Sequence, residues 1–342
     1  MKNEILSTFL DNYEKESDLI FNTKNTNGYW SNLSKIDNSE LMNCIQKMTT
    51  RDSIKQTHSN LYDVIFSEKR AAGLELLDLN GSEIALDLGC MWGALTIPLA
   101  KMSKIVLGID QTVESLKFSE KRAKEEKLEN INFLCGNLRD IILPINTFDI
   151  CVVNGVLEWV PELEPIVVKE YWDKNVKRNS LDNPGQIQTA FLKNIFNTLK
   201  SNASLYLAIE NRYDYKMFFG TPDPHSGLKF ATIIPKTVAN LYSILFKKRK
   251  YTPWIYSFSE INNILTNVGF SEIKLYACWP DYRFPIYINL YKEKNVYFKP
   301  VSPRKDGKLN FKLIIRNRIE WILFKIFNFQ FFAPSIIAIA KK

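Results

Sequence analysis

Several features that mark other protein classes are missing from this sequence of 342 residues. Its five cysteines are scattered without a C-x-x-C pair, and this odd number favours neither a disulfide framework nor a zinc site. The segment MKNEILSTFLDNYEKES carries acidic residues where a signal peptide needs an uninterrupted apolar stretch. No long polar or low-complexity tract indicates disorder. We therefore expect a folded protein of the cytoplasm.

Histidine is scarce as well, because the chain has only His58 and His225. Its carboxylates show no spacing typical of metal ligands, so the sequence predicts no metal-binding site. A long uncharged apolar segment is also missing. Residues 311–329 come nearest to one, but five charged side chains among them exclude a membrane-spanning helix.

The positive charge lies in the C-terminal third of the chain. Residues 229–342 hold 20 Lys and Arg against 6 Asp and Glu, whereas the remaining residues carry a net charge of −6. This asymmetry favours an anionic partner, although ordinary solvated lysines give the same composition. The tract KKRK at 247–250 and the basic segment 311–329 lead us to hypothesise peripheral docking at the anionic inner face of the membrane. The absence of a recognisable RNA-binding module argues against nucleic acid as the partner, and the oligomeric state is left open.

Strand and helix patterns alternate from residue 84 onward. Buried apolar runs of strand length at 84–89, 104–110, 131–137, 148–154 and 204–210 are separated by amphipathic helical patterns. This order predicts an α/β protein with a doubly wound, Rossmann-like parallel sheet that helices cover on both faces.

The domain organisation follows from the same patterns. Residues 1–60 show irregular helical periodicity and predict a helical N-terminal cap, and residues 61–79 predict one amphipathic helix. We expect residues 61–342 to form a single domain with insertions near 161–184, 211–258 and 290–330.

A tight turn, GCMWG from Gly89 to Gly93, follows the first strand of this pattern. Asp87 precedes it, and Asp110 ends the second strand about 20 residues later. Adenosine-containing cofactors in doubly wound sheets need a turn that the ligand can approach closely and an acid for the ribose hydroxyls. Nicotinamide cofactors favour a G-x-G-x-x-G spacing, whereas Met91 crowds this turn and favours a ligand without a pyrophosphate.

Over about residues 61–280 the chain resembles the class I S-adenosylmethionine (SAM)-dependent methyltransferases. Asp87, Gly89 and Gly93 fall on that family's D/E-x-G-x-G-x-G turn, and Met91 replaces its middle glycine. The resemblance implies S-adenosyl-L-methionine as the cofactor. It also implies a seven-stranded sheet whose last strand, here FFAPSIIAIAKK, enters antiparallel between strands five and six.

The same resemblance assigns site residues. Asp110 is expected to bind the ribose, and Asn137 with Leu138 is expected to meet the adenine. Most of the family carries Asp at the position of Asn137, but the amide oxygen of Asn can also accept the adenine amino proton. The string FDICVVNGVLEWVPE resembles the segment after strand four, which places residues 154–158 near the reactive methyl group. The expected cofactor residues are Asp87, Gly89, Cys90, Gly93, Asp110, Gln111, Asn137, Leu138, Asn154 and Gly155.

Methyl transfer to a hydroxyl also needs a group that removes a proton. The candidates are Glu158 and His225, which lies in a Pro- and Gly-rich loop after strand five. Each has an alternative role. Glu158 could instead contact the cofactor or stabilise the start of a helix, and His225 could instead hydrogen-bond the backbone. The candidate acceptor-binding residues all lie just after strands four and five: Trp159, Asn211, Arg212 and Tyr213. Structural roles are the alternative, namely an ion pair for Arg212 and packing in the core for the aromatic residues.

We therefore expect SAM-dependent methyl transfer, at oxygen, to a small-molecule or a glycan- or lipid-linked acceptor. The string from residue 148 through PHSGL resembles a bacterial branch of small-molecule methyltransferases linked with surface polysaccharide biosynthesis. Two alternatives stay open, namely an RNA-modifying or nucleic-acid-binding methyltransferase and a SAM-binding scaffold without catalysis.

Overall fold

A ten-stranded sheet forms the centre of the described chain. The computed structural model describes residues 4–23, 38–139, 141–162, 183–293, 315, 318–319, 322 and 329–342. In chain order the strands of the described residues are β1 Glu14–Lys15, β2 Ile20–Asn22, β3 Ile84–Leu88, β4 Ile105–Asp110, β5 Ile131–Cys135, β6 Phe148–Asn154, β7 Leu199–Glu210, β8 Ser271–Trp279, β9 Tyr287–Leu290 and β10 Ser335–Lys341.

The strand order is β1-β2-β5-β4-β3-β6-β7-β10-β8-β9. Strands β5, β4, β3, β6 and β7 pair in parallel, as the alternating pattern predicts. Strand β10 runs antiparallel between β7 and β8, which confirms the predicted position of the last strand. The carboxyl ends of the five parallel strands therefore meet at one edge of the sheet, where ligands bind in folds of this kind.

The predicted count of seven strands is wrong, because three further strands extend the edges of the sheet. Strands β1 and β2 have two and three residues and add to the β5 side, and the four-residue β9 pairs with β8. Segments this short do not show a period-two pattern in a sequence.

Ten α-helices lie among the described residues: α1 Glu4–Leu10, α2 Asn38–Lys47, α3 Thr50–Thr57, α4 Tyr62–Phe66, α5 Thr96–Met102, α6 Val113–Glu125, α7 Pro184–Thr198, α8 Tyr215–Phe218, α9 Lys236–Lys247 and α10 Phe258–Val268. Local signals set some of their ends. Helix α10 begins with a capping box between Ser257 and Glu260 and ends at Gly269, whose φ of 119° suits glycine. Among the described residues, none of the helices combines the length and apolar character needed to cross a bilayer.

Strand β3 shows why the sheet has two cores. All five of its residues are buried, and Leu86 and Leu88 face one hydrophobic cluster while Ala85 faces another. Parallel strands covered on both faces by helices read as continuous apolar runs, which explains why the sequence identifies them well. A third, smaller cluster joins the N-terminal helices to Trp92 and Phe118.

Two N-terminal predictions differ from the structure. The cap over residues 1–60 is only partly helical, because β1 and β2 join the sheet. Residues 61–79 do not form one helix, because α4 ends at Ser67, whose backbone is extended, and a 3₁₀ helix covers Glu68–Leu76. Gly73 lies in that 3₁₀ helix, and a Cβ there would be 2.2 Å from the Tyr206 hydroxyl oxygen. Most of the expected insertions near 161–184 and 290–330 lies outside the described residues.

Arg122 ties helix α6 to the turn that follows β3. Its buried guanidinium donates hydrogen bonds through Nη1 to the carbonyl oxygens of Ile65, Trp92 and Gly93, at 3.1, 3.3 and 3.0 Å. Burial lowers the pKa of Arg122 to about 10, against the opposing effect of nearby Glu126, so the side chain stays charged at neutral pH. This single charge therefore satisfies three carbonyl groups beside the site.

We expect Arg122→Met to lower the free energy of unfolding by about 2 to 4 kcal/mol, because it removes charged hydrogen bonds and leaves buried carbonyls without donors. Lys121→Met on the same helix is the matched control, since Lys121 is only half-buried and its ion pair with Glu125 is long at 3.9 Å. Urea unfolding of the two variants measures the difference. Equal stability of both variants would contradict the role given to Arg122.

Candidate active site

A pocket opens at the carboxyl ends of β3, β4 and β6. Its lining combines the turn after β3, the ends of two neighbouring strands and part of the N-terminal region. The residues are Val64, Ile65, Arg70, Asp87, Gly89, Cys90, Met91, Trp92, Ala94, Leu95, Asp110, Gln111, Leu138, Asn154, Gly155, Val156 and Trp159.

The turn after β3 keeps a shape that normally needs glycine. Gly89 has a φ of 75°, and a Cβ there would be 2.4 Å from Cγ2 of Val156. Met91, which stands where the family has its middle glycine, has a φ of 42° and is held there by its neighbours. A residue other than glycine in this region costs about 1 kcal/mol or more, so the turn persists because surrounding contacts determine it.

Asp110 supplies the first of those contacts. Its Oδ2 accepts a hydrogen bond from the Met91 N–H at 2.9 Å, and its Oδ1 accepts one from the Thr112 N–H at 2.9 Å. Burial raises the pKa of Asp110, while these backbone donors act in the opposite direction. Each carboxylate oxygen can accept a second hydrogen bond, so Asp110 can hold the turn and a pair of ligand hydroxyls together.

Ser119 completes the support of Met91 from helix α6. Its hydroxyl donates to the Met91 carbonyl oxygen at 2.9 Å and shares its one proton with the Ser115 carbonyl oxygen, also at 2.9 Å. Both backbone polar groups of Met91 are therefore bonded to side chains that come from the strand and helix following the turn. The altered turn is evident from the sequence, and these two partners explain how the turn accommodates Met91.

Two further groups suit a cofactor that carries an amino acid moiety. Asp87 is buried, its Oδ2 accepts from the Thr96 hydroxyl at 2.7 Å, and burial raises its pKa to about 6. Arg70 lines the pocket with its Nε and Nη1 buried and without hydrogen-bond partners in the described structure. A carboxylate of a bound ligand would satisfy these donors. The sequence does not predict a role for Arg70, because nothing in the pattern of residues 61–79 distinguishes it from charged residues on the exposed face of a helix.

Gly155 shows that the opposite wall is also closely fitted. Its φ is 67°, and a Cβ there would be 2.2 Å from the Tyr282 hydroxyl oxygen. The neighbouring Asn154 has a buried Oδ1 without a hydrogen-bond partner among the described residues. Glycine backbone on two walls, a ribose-type acid and unsatisfied buried polar atoms together fit SAM.

A group of ionisable side chains lies beside this wall. Glu158 follows β6, Glu210 ends β7, and His225 comes from the loop after β7. Nε2 of His225 is 3.8 Å from Oε1 of Glu158 and 3.7 Å from Oε2 of Glu210. The ring of Trp159, which lines the pocket, meets the His225 ring edge-on with centroids 4.8 Å apart. The group therefore lies directly behind the pocket wall.

Asp223 orients His225. Its Oδ1 lies 3.0 Å from Nδ1 of His225, and its carboxylate also accepts from Ser226 and Tyr251. Burial acts to raise the pKa of Asp223, but these donors outweigh it and lower the pKa. An ionised Asp223 accepts from Nδ1–H, which leaves Nε2 facing the two glutamates.

Burial and mutual repulsion shape the rest of the group. Burial and the neighbouring Glu210 raise the pKa of Glu158. Burial acts to lower the pKa of His225, but the Asp223 hydrogen bond and the nearby glutamates outweigh it and raise the pKa. Glu158, Glu210 and His225 are thus ionisable groups that lie close together in a mostly buried site, with shifted pKa values for Glu158 and His225. Such clusters are typical of functional sites.

Most of the expected cofactor residues line the pocket: Asp87, Gly89, Cys90, Asp110, Gln111, Leu138, Asn154 and Gly155. Gly93 and Asn137 lie outside this lining. Gly93 instead accepts the Arg122 hydrogen bond, and Oδ1 of Asn137 accepts from the Arg139 N–H at 2.9 Å. Trp159 is the expected acceptor residue that does line the pocket.

Asn211, Arg212 and Tyr213, the other residues expected at the acceptor, lie outside the pocket lining and make contacts elsewhere. Asn211 donates to the carbonyl oxygens of Phe331 and Ala333, and Tyr213 stacks on the ring of Phe331. These residues fasten the segment before β10 to the end of β7.

Arg212 is buried and acts as a brace within the loop after β7. It donates to the carbonyl oxygens of Thr232 and Ile234 and pairs with Glu260 at 2.8 Å. The ion-pair alternative therefore describes it, but with Glu260 as the partner. The sequence predicts no metal site, and the structure brings Glu158, Glu210 and His225 together as side chains that could hold a metal ion.

We expect Asp110→Ala to weaken S-adenosylhomocysteine binding roughly 100-fold, because it removes two charge-assisted hydrogen bonds of about 1.5 kcal/mol each. Asp149→Ala is the matched control, since Asp149 accepts from the Ile84 N–H at 2.9 Å where β6 begins, at the far end of the sheet. Calorimetric titration gives both affinities. Retained affinity in a folded Asp110→Ala protein would exclude this ribose site.

Comparison with known proteins places the chain in a family. The Methyltransf_11 family, described as a methyltransferase domain, matches residues 86–171, which include the turn, Asp110 and the start of the ionisable group. Over 126 residues the chain is 30% identical to a probable cobalt-precorrin-6B C(15)-methyltransferase (decarboxylating) of Methanococcus maripaludis, an alignment that covers 36% of this chain and 68% of that protein.

Two other relatives act on different acceptors by name. The chain is 30% identical over 131 residues to a ubiquinone biosynthesis O-methyltransferase of Coxiella burnetii, covering 38% of this chain and 49% of that protein. It is 34% identical over 94 residues to the 23S rRNA (uracil(1939)-C(5))-methyltransferase RlmD of Aliivibrio salmonicida, covering 28% of this chain and 20% of that protein. The chain thus spans only a part of these two relatives. The match common to all three is to methyltransferases, and the chain belongs to the class I SAM-dependent methyltransferases.

Proposed function

We propose that this enzyme transfers the methyl group of SAM to a hydroxyl oxygen of a small-molecule acceptor. The supporting observation is the group of Glu158, Glu210 and His225 behind the pocket wall. A hydroxyl is a weak nucleophile until it loses its proton, so an O-methyltransferase needs a proton-removing group next to the methyl. The ionisable group at the carboxyl ends of β6 and β7 supports this proposal.

The cofactor supplies an electrophilic methyl group when it is bound. The chain's own residues must bring the acceptor oxygen in line with that methyl and take its proton. Asp223 holds His225 so that Nε2 faces Glu158 and Glu210, which both lie within 4 Å of that nitrogen. We propose that this group receives the hydroxyl proton.

The burial of the group favours a small acceptor or one with a slender, flexible end. The His225 side chain is only 4% exposed and that of Glu158 only 1%. A base within folded RNA would have to be extruded to reach this depth. The rRNA relative and the basic C-terminal third support RNA as the alternative acceptor.

We expect methyl-labelled SAM to label a water-soluble metabolite or lipid fraction rather than total RNA, with the label stable to mild base as an ether. His225→Ala is expected to slow this transfer at least about 100-fold, because general-base assistance contributes that much. Its affinity for S-adenosylhomocysteine should stay unchanged. His58→Ala, at the only other histidine, is the control. Labelling of RNA alone, or full turnover by His225→Ala, would overturn the proposal.

We also propose that the enzyme docks on an anionic membrane surface, where glycan- or lipid-linked acceptors are found. Helix α9 supports this, because Val238, Leu241 and Leu245 share one side of it and Leu241 and Leu245 are 58% and 61% exposed. The helix continues into Phe246 and the exposed KKRK tract. An exposed apolar face beside clustered lysines is typical of helices that lie in the membrane interface. The basic segment 311–329 lies almost entirely outside the described residues.

We expect the protein to float with vesicles of phosphatidylserine and phosphatidylcholine, but not with phosphatidylcholine alone. The double variant Leu241→Gln, Leu245→Gln should lose most of this binding, because it removes the apolar face while leaving the charge. Ile145→Gln is the control, since Ile145 is 71% exposed and lies outside helix α9. Failure of the wild-type protein to float would contradict membrane docking.

A further inference from the structure

The group behind the pocket wall has the geometry of a metal site. Glu158, Glu210 and His225 each offer one ligand atom, and these three atoms lie within 4.8 Å of one another. Ligand distances of about 2.0 to 2.2 Å around a divalent ion place neighbouring ligand atoms about 3 to 4 Å apart. The separations of 3.7 and 3.8 Å from Nε2 of His225 to the two carboxylates already fall in this range.

The buried carboxylate of Glu158 has acceptor atoms that a cation could use. Both of its carboxylate oxygens are buried without a hydrogen-bond partner in the described structure, and Oε2 of Glu210 is in the same condition. Within the described ranges, His225 is the one basic side chain that pairs with either glutamate. Two facing carboxylates in a site of low polarity are costly unless a positive charge lies between them.

Asp223 provides the second feature of a metal site. Histidines that bind metals usually donate their other ring N–H to a carboxylate, which fixes the ring and the tautomer. Here Nδ1 of His225 is 3.0 Å from Asp223, and Nε2 faces the two glutamates. Tyr282 orients Glu210 in a similar way, since its hydroxyl donates to Oε1 of Glu210 at 3.1 Å.

We propose that Glu158, Glu210 and His225 bind a divalent first-row metal ion that holds and activates the acceptor. Two carboxylates and one imidazole are a ligand set that suits Mn²⁺, Fe²⁺ or Zn²⁺. Ca²⁺ is less suited, because it prefers oxygen ligands alone. Three protein ligands leave at least one position open, as in catalytic rather than structural sites. The Glu210 side chain, at 17% exposure, lies on the open side.

The inference rests on the proposed function in one respect, namely that the open position takes the acceptor hydroxyl. With the ion bound, Glu158, Glu210 and His225 act as its ligands and no longer as the proton acceptor. A hydroxyl bound to a divalent ion has a lowered pKa, so its proton is released to water at neutral pH. The oxygen then forms the new bond to the methyl carbon as the carbon–sulfur bond breaks and its electron pair goes to sulfur. The ion leaves this step unchanged and neither gains nor loses electrons.

After dialysis against EDTA, the protein is titrated with Mn²⁺, and electron paramagnetic resonance measures the concentration of the free ion. We expect one site per chain in the wild-type protein. Glu210→Gln should weaken binding at least about 100-fold, and Asp223→Asn about 10- to 100-fold, the range found for partners behind a ligand. Glu272→Gln, a change at an exposed carboxylate of β8, should bind like the wild type. Absorption of the Co²⁺-loaded wild-type protein reports the ligand set without any variant.

The outcomes separate this inference from the proposed function. Failure of the wild-type protein to bind Mn²⁺, or equal binding by Glu210→Gln and Glu272→Gln, would overturn the metal site. Hydroxyl methylation that depends on His225 but proceeds undiminished in EDTA would also overturn it while leaving the proposed function intact. One bound ion without any labelled hydroxyl product would support the site and count against the proposed acceptor.

Discussion

The fixing of Met91 between Asp110 and Ser119 is the constraint on which the cofactor site depends. The turn after β3 must follow a backbone path that suits glycine, yet a methionine stands at its centre. The Asp110 carboxylate holds its N–H and the Ser119 hydroxyl holds its carbonyl, while Arg122 holds the next two carbonyls. A path that costs energy locally is thus stabilised by charged and polar groups that come from the following strand and helix.

The same sheet edge sets the chemistry of the second half of the site. Parallel strands end together, so the segments after β6 and β7 bring Glu158 and Glu210 behind the cofactor pocket. The loop after β7 then adds His225, with Asp223 behind it. Asn211 and Arg212 contribute indirectly, because they fasten this loop and the segment before β10 to the sheet. One edge of the sheet therefore holds both the cofactor pocket and the ionisable group beside it.

The parts that the sequence predicts well are those decided by local pattern. Strands β3 to β7 are buried on both faces and read as apolar runs, and Asp110 follows at the spacing that the fold requires. The parts that it misses depend on distant contacts. The break in residues 61–79 involves Gly73 against Tyr206, and Asn211 finds its partners 120 and 122 residues away. Glu158, Glu210 and His225 come from three segments, so no spacing rule for ligands reveals them. Arg70 has no motif, and only its unsatisfied position in the pocket distinguishes it.

The most direct test of this account is a crystal structure of the protein with S-adenosylhomocysteine bound. We predict that the ribose hydroxyls lie within hydrogen-bonding distance of the Asp110 carboxylate while the bond from the Met91 N–H to Asp110 is kept. We further predict that the ligand sulfur faces the side of the pocket formed by Gly155 and Trp159. A ligand that binds elsewhere, or that binds only after Met91 leaves Asp110, would contradict the account.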